Sequence, residues 1–383
     1  MNVQWNRPTL LGDYKQETIQ TYLDRIDHGI KFFEQLNKSP EIRVTRDPVL
    51  QYNYSEPSHS LQKIKLFDQQ KSSEDNLTIY SEEKPPIIDI ELYGNYAIVQ
   101  NNWMGHYGHN AHDNLGRFEF FRQLFNNKIK FIVTEYELGQ HSTTLQQLYC
   151  LNPFYKDNVI FLPPEKTLKI NGLLFQAERE PVRWFSESKM YCEYLRIGLN
   201  EQIETETTNN REHIIFCPRV GETADHGRLN TEEGIEKIKQ LIESIIKECG
   251  KPINFSVFTN KNSNGDFLTV QEQKDFFKTA TIILGIHGTA LTNMMWADRL
   301  ADYKSPPLQI IEIVGDTTAR NKNHPQIEPW QNGNDCGYWH QFGNHFNTNW
   351  QHIFFDKIPE RQDFRFVDID MNLLEKAIKN IIA

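Results

Sequence analysis

Apolar positions recur along this chain at two spacings, and the switch between them marks its elements. Ile19, Leu23, Ile26, Ile30 and Phe33 fall three or four apart, which predicts a helix over residues 14–37. Residues 38–86 are polar and rich in turn formers, so they predict irregular chain. Short apolar runs at 95–100, 130–134, 159–162 and 173–175 predict strands, with helical spacing at 113–125, 144–149 and 188–199 between and after them. The second half alternates more clearly, with strands at 213–217, 253–258, 281–284 and 308–314 and helices at 231–249 and 271–279. Asn230 with Glu233 forms a capping-box pattern at the start of the first of these helices, and Gly250 stands where a helix terminates. A final helix over 371–382 is expected to pack back on the first half. Strand alternating with helix implies parallel sheets.

Residues 281–297 carry the sharpest feature. The apolar run ends in Gly285-Ile286-His287-Gly288 and opens into a helix-compatible segment. Glycine lets backbone bend tightly and approach a ligand, and helix N-terminal amides attract anions. At the mouth of an α/β sheet this turn sets His287 and the first helical amides where anionic or nucleotide ligands bind.

At 383 residues the chain exceeds the usual single core. Two Rossmann-like domains facing a cleft are the simplest architecture: 1–205 with an N-terminal helical or irregular extension, 206–330 as the second domain, and 331–383 returning to the first. A net charge of −10 argues against nucleic acid as the main partner. Five scattered cysteines, none in Cys-x-x-Cys spacing, indicate neither a zinc ribbon nor a disulfide framework. No segment is long enough to span a bilayer, so the chain reads as cytoplasmic, with Golgi or ER location only if a targeting segment was removed.

Gly285-Ile286-His287-Gly288-Thr289-Ala290-Leu291-Thr292-Asn293, followed by a strand carrying Glu312, resembles glycosyltransferase family 61. That family includes plant xylosyl- and arabinosyltransferases and animal O-linked N-acetylglucosaminyltransferases. Pro218-Arg219 with Arg228-Leu229-Asn230 is similar to its paired-arginine stretch, and His109 with Asp113 and Leu115 to its His-x-x-x-Asp-x-Leu helix start. The chain departs from the pattern at Thr289, which replaces a smaller alanine, at Gly116, and at 301–307, inserted where the family has Pro-Gly. The resemblance implies a GT-B type fold and inverting transfer from a UDP-sugar, xylose or N-acetylglucosamine, to a glycan or glycoprotein hydroxyl. It implies no essential metal and no cofactor beyond that donor.

The chemistry explains the residue types. Charge builds on the leaving diphosphate, for which Arg219 and Arg228 offer planar donors and the amides after Gly288 a second positive source. His287, Gly288, Thr289, Ala290 and Asn293 would line the donor turn. Glu312, read as a strand-end acid, would accept ribose hydroxyl hydrogens. Asp113 or His109 would take the acceptor proton. Duller readings stand beside each: a turn-stabilising histidine, surface arginines, a solvent-facing glutamate, an aspartate helix cap. His106, His109 and His112 lie three apart without a fourth ligand, and the acidic triplets at 89–91 and 368–370 fit a strand or a cap, so no metal site is assigned. Two other functions remain open. One is a non-catalytic sugar- or nucleotide-binding relative; the other is a hydrolase, which the lack of Gly-x-Ser-x-Gly disfavours.

Overall fold

The computed structural model describes residues 9–11, 42–54, 62–67, 73–74, 78–99, 107–133, 142–163, 166–177, 189–203, 211–218, 232–286, 288–315, 346–355 and 369–382. The fold is mixed α/β, and the chain divides into two compact units. One unit comprises Lys38–Val182 and Ser186–Gly198. The other comprises Leu199–Ala383 together with Met1–Asn37 and Arg183–Phe185. The expected helix over 14–37 lies outside the described residues.

The second-half unit is built on six parallel strands. Their spatial order is Thr9–Leu11, Thr348–Phe355, Leu308–Gly315, Ile282–Ile286, His213–Cys217, Asn254–Val257. Leaving aside the N-terminal strand, this is the doubly wound order 2-1-3-4-5, read from the far edge. The strand order reverses between His213–Cys217 and Ile282–Ile286. Both central strands are almost wholly apolar because a parallel sheet is covered on both faces.

On one face, Ile214, Phe216, Ile282, Leu284, Ile311, Ile313 and Ile353 pack against Ile238, Ile242 and Ile245 of the helix Glu232–Cys249. Gly250 follows that helix at φ +65°, the left-handed turn that ends it. The helix Met371–Ile382 joins the same cluster through Leu374, Ala377, Ile378 and Ile382. Lys379 also pairs with Glu248 at 2.8 Å, and Lys251 donates to the Ile382 carbonyl at 2.6 Å. The C-terminal helix therefore covers the second-half sheet, a correction to the expected return to the first half. Its apolar residues join those of Glu232–Cys249 in one cluster on the sheet. A second correction concerns the N-terminus: Thr9–Leu11 edges this sheet rather than the first-half one.

The first-half unit contains two sheets. Val159–Phe161, Lys130–Val133, Tyr96–Ile98 and Leu173–Ala177 are parallel neighbours in that order, with Ile42–Arg46 antiparallel at the edge. In chain order the parallel strands run 3-2-1-4, which reverses between Tyr96–Ile98 and Leu173–Ala177. The second sheet orders Ser73–Glu74, Thr78–Tyr80, Gln62–Leu66, Val49–Tyr54, Thr167–Asn171 and Ile90–Tyr93. Leu50, Leu66, Leu168 and Ile170 from it share a core with Tyr96, Ile98, Ile132 and Leu174 from the first. Much of 42–80, expected to be irregular, is thus strand. The overlooked signal is alternation, as in Lys63-Ile64-Lys65-Leu66, where only every second side chain is apolar.

Three segments pass from one sheet to the other at a shared corner, near Asp47, Gly94 and Gly172. Gly172 N donates to Asp47 Oδ1 and Asp47 N to the Gly172 carbonyl, both at 2.8 Å. Gly94 N donates to the Asn171 carbonyl at 3.1 Å. A Cβ at Gly172 would lie 2.0 Å from the Gly94 carbonyl oxygen, and its φ is +154°. Backbone cannot yield as a flexible side chain would. Gly172→Ala is therefore expected to destabilise the first-half unit by about 2–4 kcal/mol, seen as a lower urea midpoint. An unchanged midpoint would mean that the corner relaxes freely.

Candidate functional site

In open α/β sheets ligands bind outside the carboxyl ends of the strands where the order reverses. In the second-half unit those ends are Cys217-Pro218 and Ile286, on neighbouring strands with Cys217 opposite Gly285. The chain leading to Arg219 and Arg228 leaves the sheet at Pro218, and the chain leading to His287 leaves at Ile286. Arg219, Arg228 and His287 themselves lie outside the described residues.

The two glycines of the turn have different roles. Gly288 is extended, with φ 166°, so it uses no left-handed freedom. Gly285 is required by packing. A Cβ there would meet Cys217 Cβ, the Cys217 carbonyl and Leu291 Cδ2, each at 2.9 Å. Glycine thus lets the following segment close onto the sheet.

That segment, expected only to be compatible with a helix, is the 3-10 helix Thr289–Trp296. Leu291 N donates to the Gly288 carbonyl at 2.9 Å, and Thr292 Oγ1 donates to the Thr289 carbonyl at 2.6 Å, pinning the first turn. Thr289 is exposed and Ala290 half-buried, whereas Leu291–Trp296, Asn293 included, are buried. Of the turn's described residues, Thr289 and Ala290 can reach solvent, while Gly288 is enclosed. Burial drives the Cys217 thiol far above its ordinary range, which leaves it protonated and unreactive.

Glu312 is not a strand-end acid. Its strand continues three residues further, to Gly315. Its register partners are Gly285 on one side and His352 on the other. Both Glu312 and His352 have 0% side-chain exposure, with Oε2 and Nε2 3.5 Å apart. The expected contact with ribose hydroxyls needs an open carboxylate, and this one is enclosed within the sheet. The strand lies within one residue of its expected range, 308–314, and the enclosure of Glu312 follows from the neighbours on both sides of it. His352 was missed altogether, because its strand, Thr348–Phe355, mixes polar and apolar residues without a period.

In the first-half unit the reversal follows Tyr96–Ile98, and the next described element is the helix Tyr107–Asp113, which carries positions 109 and 113 one turn apart. A second helix, Leu115–Leu124, starts after a break at Asn114. Asp113 is the last residue of the first helix, so it does not begin a helix as expected. A buried amide network fixes the first helix in place. Asn110 Nδ2 donates to Gln147 Oε1 at 2.6 Å, Gln147 Nε2 to the Tyr107 carbonyl at 3.0 Å, and Asn114 Nδ2 to Asn110 Oδ1 at 2.9 Å. One turn beyond, Glu119 is buried and accepts from Arg122, Gln123 and Tyr155. Burial is the largest influence on Glu119 and raises its pKa despite these donors. Gly198 packs directly on that carboxylate.

The acidic triplets have structural work. Asp89 accepts from Thr167 N at 2.9 Å and Lys166 Nζ at 3.0 Å, which hold its pKa below the usual value. Asp370 caps the last helix through Asn372 N and Leu373 N.

Two sheets whose parallel strand order reverses define a mixed α/β protein. A family model described as Glycosyltransferase 61 matches residues 107–302, just over half of the sequence, and the chain belongs to that family. Membership implies glycosyl transfer, with a sugar donor and an acceptor as reactants. The match spans positions 109, 113, 219, 228 and 287–293 and stops short of Glu312. A comparison with curated proteins gives no match. No helix among the described residues is long and apolar enough to cross a membrane.

Proposed function

We propose that the chain is an inverting glycosyltransferase that moves xylose or N-acetylglucosamine from a uridine diphosphate donor to a hydroxyl of a glycan or glycoprotein. The observation that carries this reading is the family match over residues 107–302, a range that includes positions 219, 228 and 287, which follow in sequence the strand ends at Pro218 and Ile286. The second-half unit would be the donor lobe and the first-half unit the acceptor lobe of a GT-B enzyme. Arg219 and Arg228 neutralise the diphosphate, joined by His287 and the amides of Thr289 and Ala290, while the enclosed Gly288 and Asn293 shape the turn from beneath. The acceptor oxygen attacks the anomeric carbon from the face opposite the diphosphate, which inverts that centre. Asp113, with His109 one turn away, receives the acceptor proton. Charge on the leaving group is met by guanidinium groups, so the reaction uses no metal and no further cofactor.

The test is thermal unfolding with uridine diphosphate, with and without EDTA. A ligand at one hundred times its Kd stabilises by about 2.7 kcal/mol, on the order of 5 °C. The rise is expected to survive the chelator, and slow hydrolysis of the sugar nucleotide without acceptor is expected alongside it. No rise with any uridine nucleotide would overturn the reading. A rise abolished by EDTA and restored by manganese would overturn its metal-independence. Binding without any donor turnover would favour a non-catalytic relative.

A further inference from the structure

We propose that His352 is a positioning residue of the donor site: it neutralises Glu312 beneath the turn that meets the diphosphate. The proposal rests on the donor reading above. Glu312 and His352 face each other at 3.5 Å on adjacent parallel strands, and neither has exposed surface.

Their place in the sheet is informative. Cys217, Gly285, Glu312 and His352 form one row across four strands. The row lies at the last residue of one central strand and the penultimate residue of the other, directly behind the edge where the chain departs toward Arg219 and His287. Gly285 has no side chain, and Leu291 fills its place. Glu312 therefore stands next to the contact that seats the 3-10 helix. Cys217, protonated, is the other titratable group of the row.

Ile311 and Ile313 flank Glu312 along its strand and point to the opposite face, and Ile310 is buried two residues before it. An isolated carboxylate in such surroundings would take up a proton or demand a partner. A carboxyl–imidazole pair that shares one proton is neutral overall, whichever group carries it. Trp350 meets the His352 ring edge-on at 6.1 Å, and its own Nε1 donates to Thr348 Oγ1 at 2.8 Å, so the imidazole has a fixed wall beside it. With His352 present, an anionic ligand above the turn meets a neutral pair. Without it, Glu312 is left alone in the low-dielectric layer under the turn, and whatever charge it carries repels the diphosphate.

The experiment is calorimetric titration of uridine diphosphate into the full chain and three variants, with folding checked by circular dichroism. His352→Phe keeps a ring against Trp350 but removes the neutralising group, and it is expected to raise Kd at least tenfold. Glu312→Gln combined with His352→Phe removes the stranded charge as well, and Kd is expected to return to within about threefold of wild type. Because replacing both partners also relieves a purely structural pair, uridine is titrated beside uridine diphosphate: the stranded charge raises Kd for the diphosphate alone, whereas a structural defect weakens both ligands alike and overturns the inference. If His352→Phe does not fold, His352→Gln carries the same comparison. The inference fails if the single variant binds like wild type, or if the double variant binds no better than the single one. If the wild-type chain itself binds no uridine diphosphate, the donor reading fails first and this inference with it.

Discussion

Asp113→Asn is expected to lower the rate of sugar transfer by about 10²–10⁴-fold while donor affinity stays within a few-fold of wild type. The substitution exchanges one oxygen for an amide nitrogen, so it keeps the size of the side chain and removes its ability to accept the acceptor proton. The backbone should hold its place, because the helix Tyr107–Asp113 is anchored from its other positions. Asn110 and Asn114 are buried, and Gln147 grips the Tyr107 carbonyl. Steady-state transfer rates with calorimetric donor affinity separate the two effects. Turnover within a few-fold of the parent would move the base elsewhere, with His109 next to be replaced.

Arg228→Ala is expected to weaken uridine diphosphate binding by roughly 10- to 100-fold. This corresponds to losing a charge-assisted hydrogen bond worth about 1.5–3 kcal/mol. Arg228→Lys should recover only part of that loss, since an ammonium cannot grip two phosphate oxygens in one plane. The affected quantity should be affinity for every uridine diphosphate ligand, whatever sugar it carries. Nucleotide affinity unchanged by calorimetry would remove Arg228 from the donor site.

The second-half sheet was largely readable from the sequence, because strands buried on both faces leave continuous apolar runs. His213–Cys217, Ile282–Ile286 and Leu308–Gly315 lie where such runs predict them, and Glu232–Cys249 follows its isoleucine stripe. The first-half sheets were harder, since half-exposed strands such as Gln62–Leu66 alternate with lysines and resemble loop by composition. Thr9–Leu11 is too short to signal anything alone and gains its identity from a distant partner. The same holds for the candidate site. The His287 turn and the arginines announce themselves as local motifs. His352 becomes visible only when pairing sets it opposite Glu312, forty residues earlier in the chain. The 3-10 form of Thr289–Trp296 was likewise illegible, because it follows from how closely Leu291 settles on Gly285.

The edge pairing of Thr9 with Gln351 has a consequence for how the molecule is made. A ribosome adding about 5–20 residues per second needs on the order of 20–70 seconds to synthesise the stretch between the two. Throughout that interval the opening strand has no neighbour to hydrogen-bond with, while the intervening unit emerges whole and can fold. Completion of the second-half sheet thus waits on its last strand, and until then the early strand is the segment that chaperones would have to keep from pairing elsewhere.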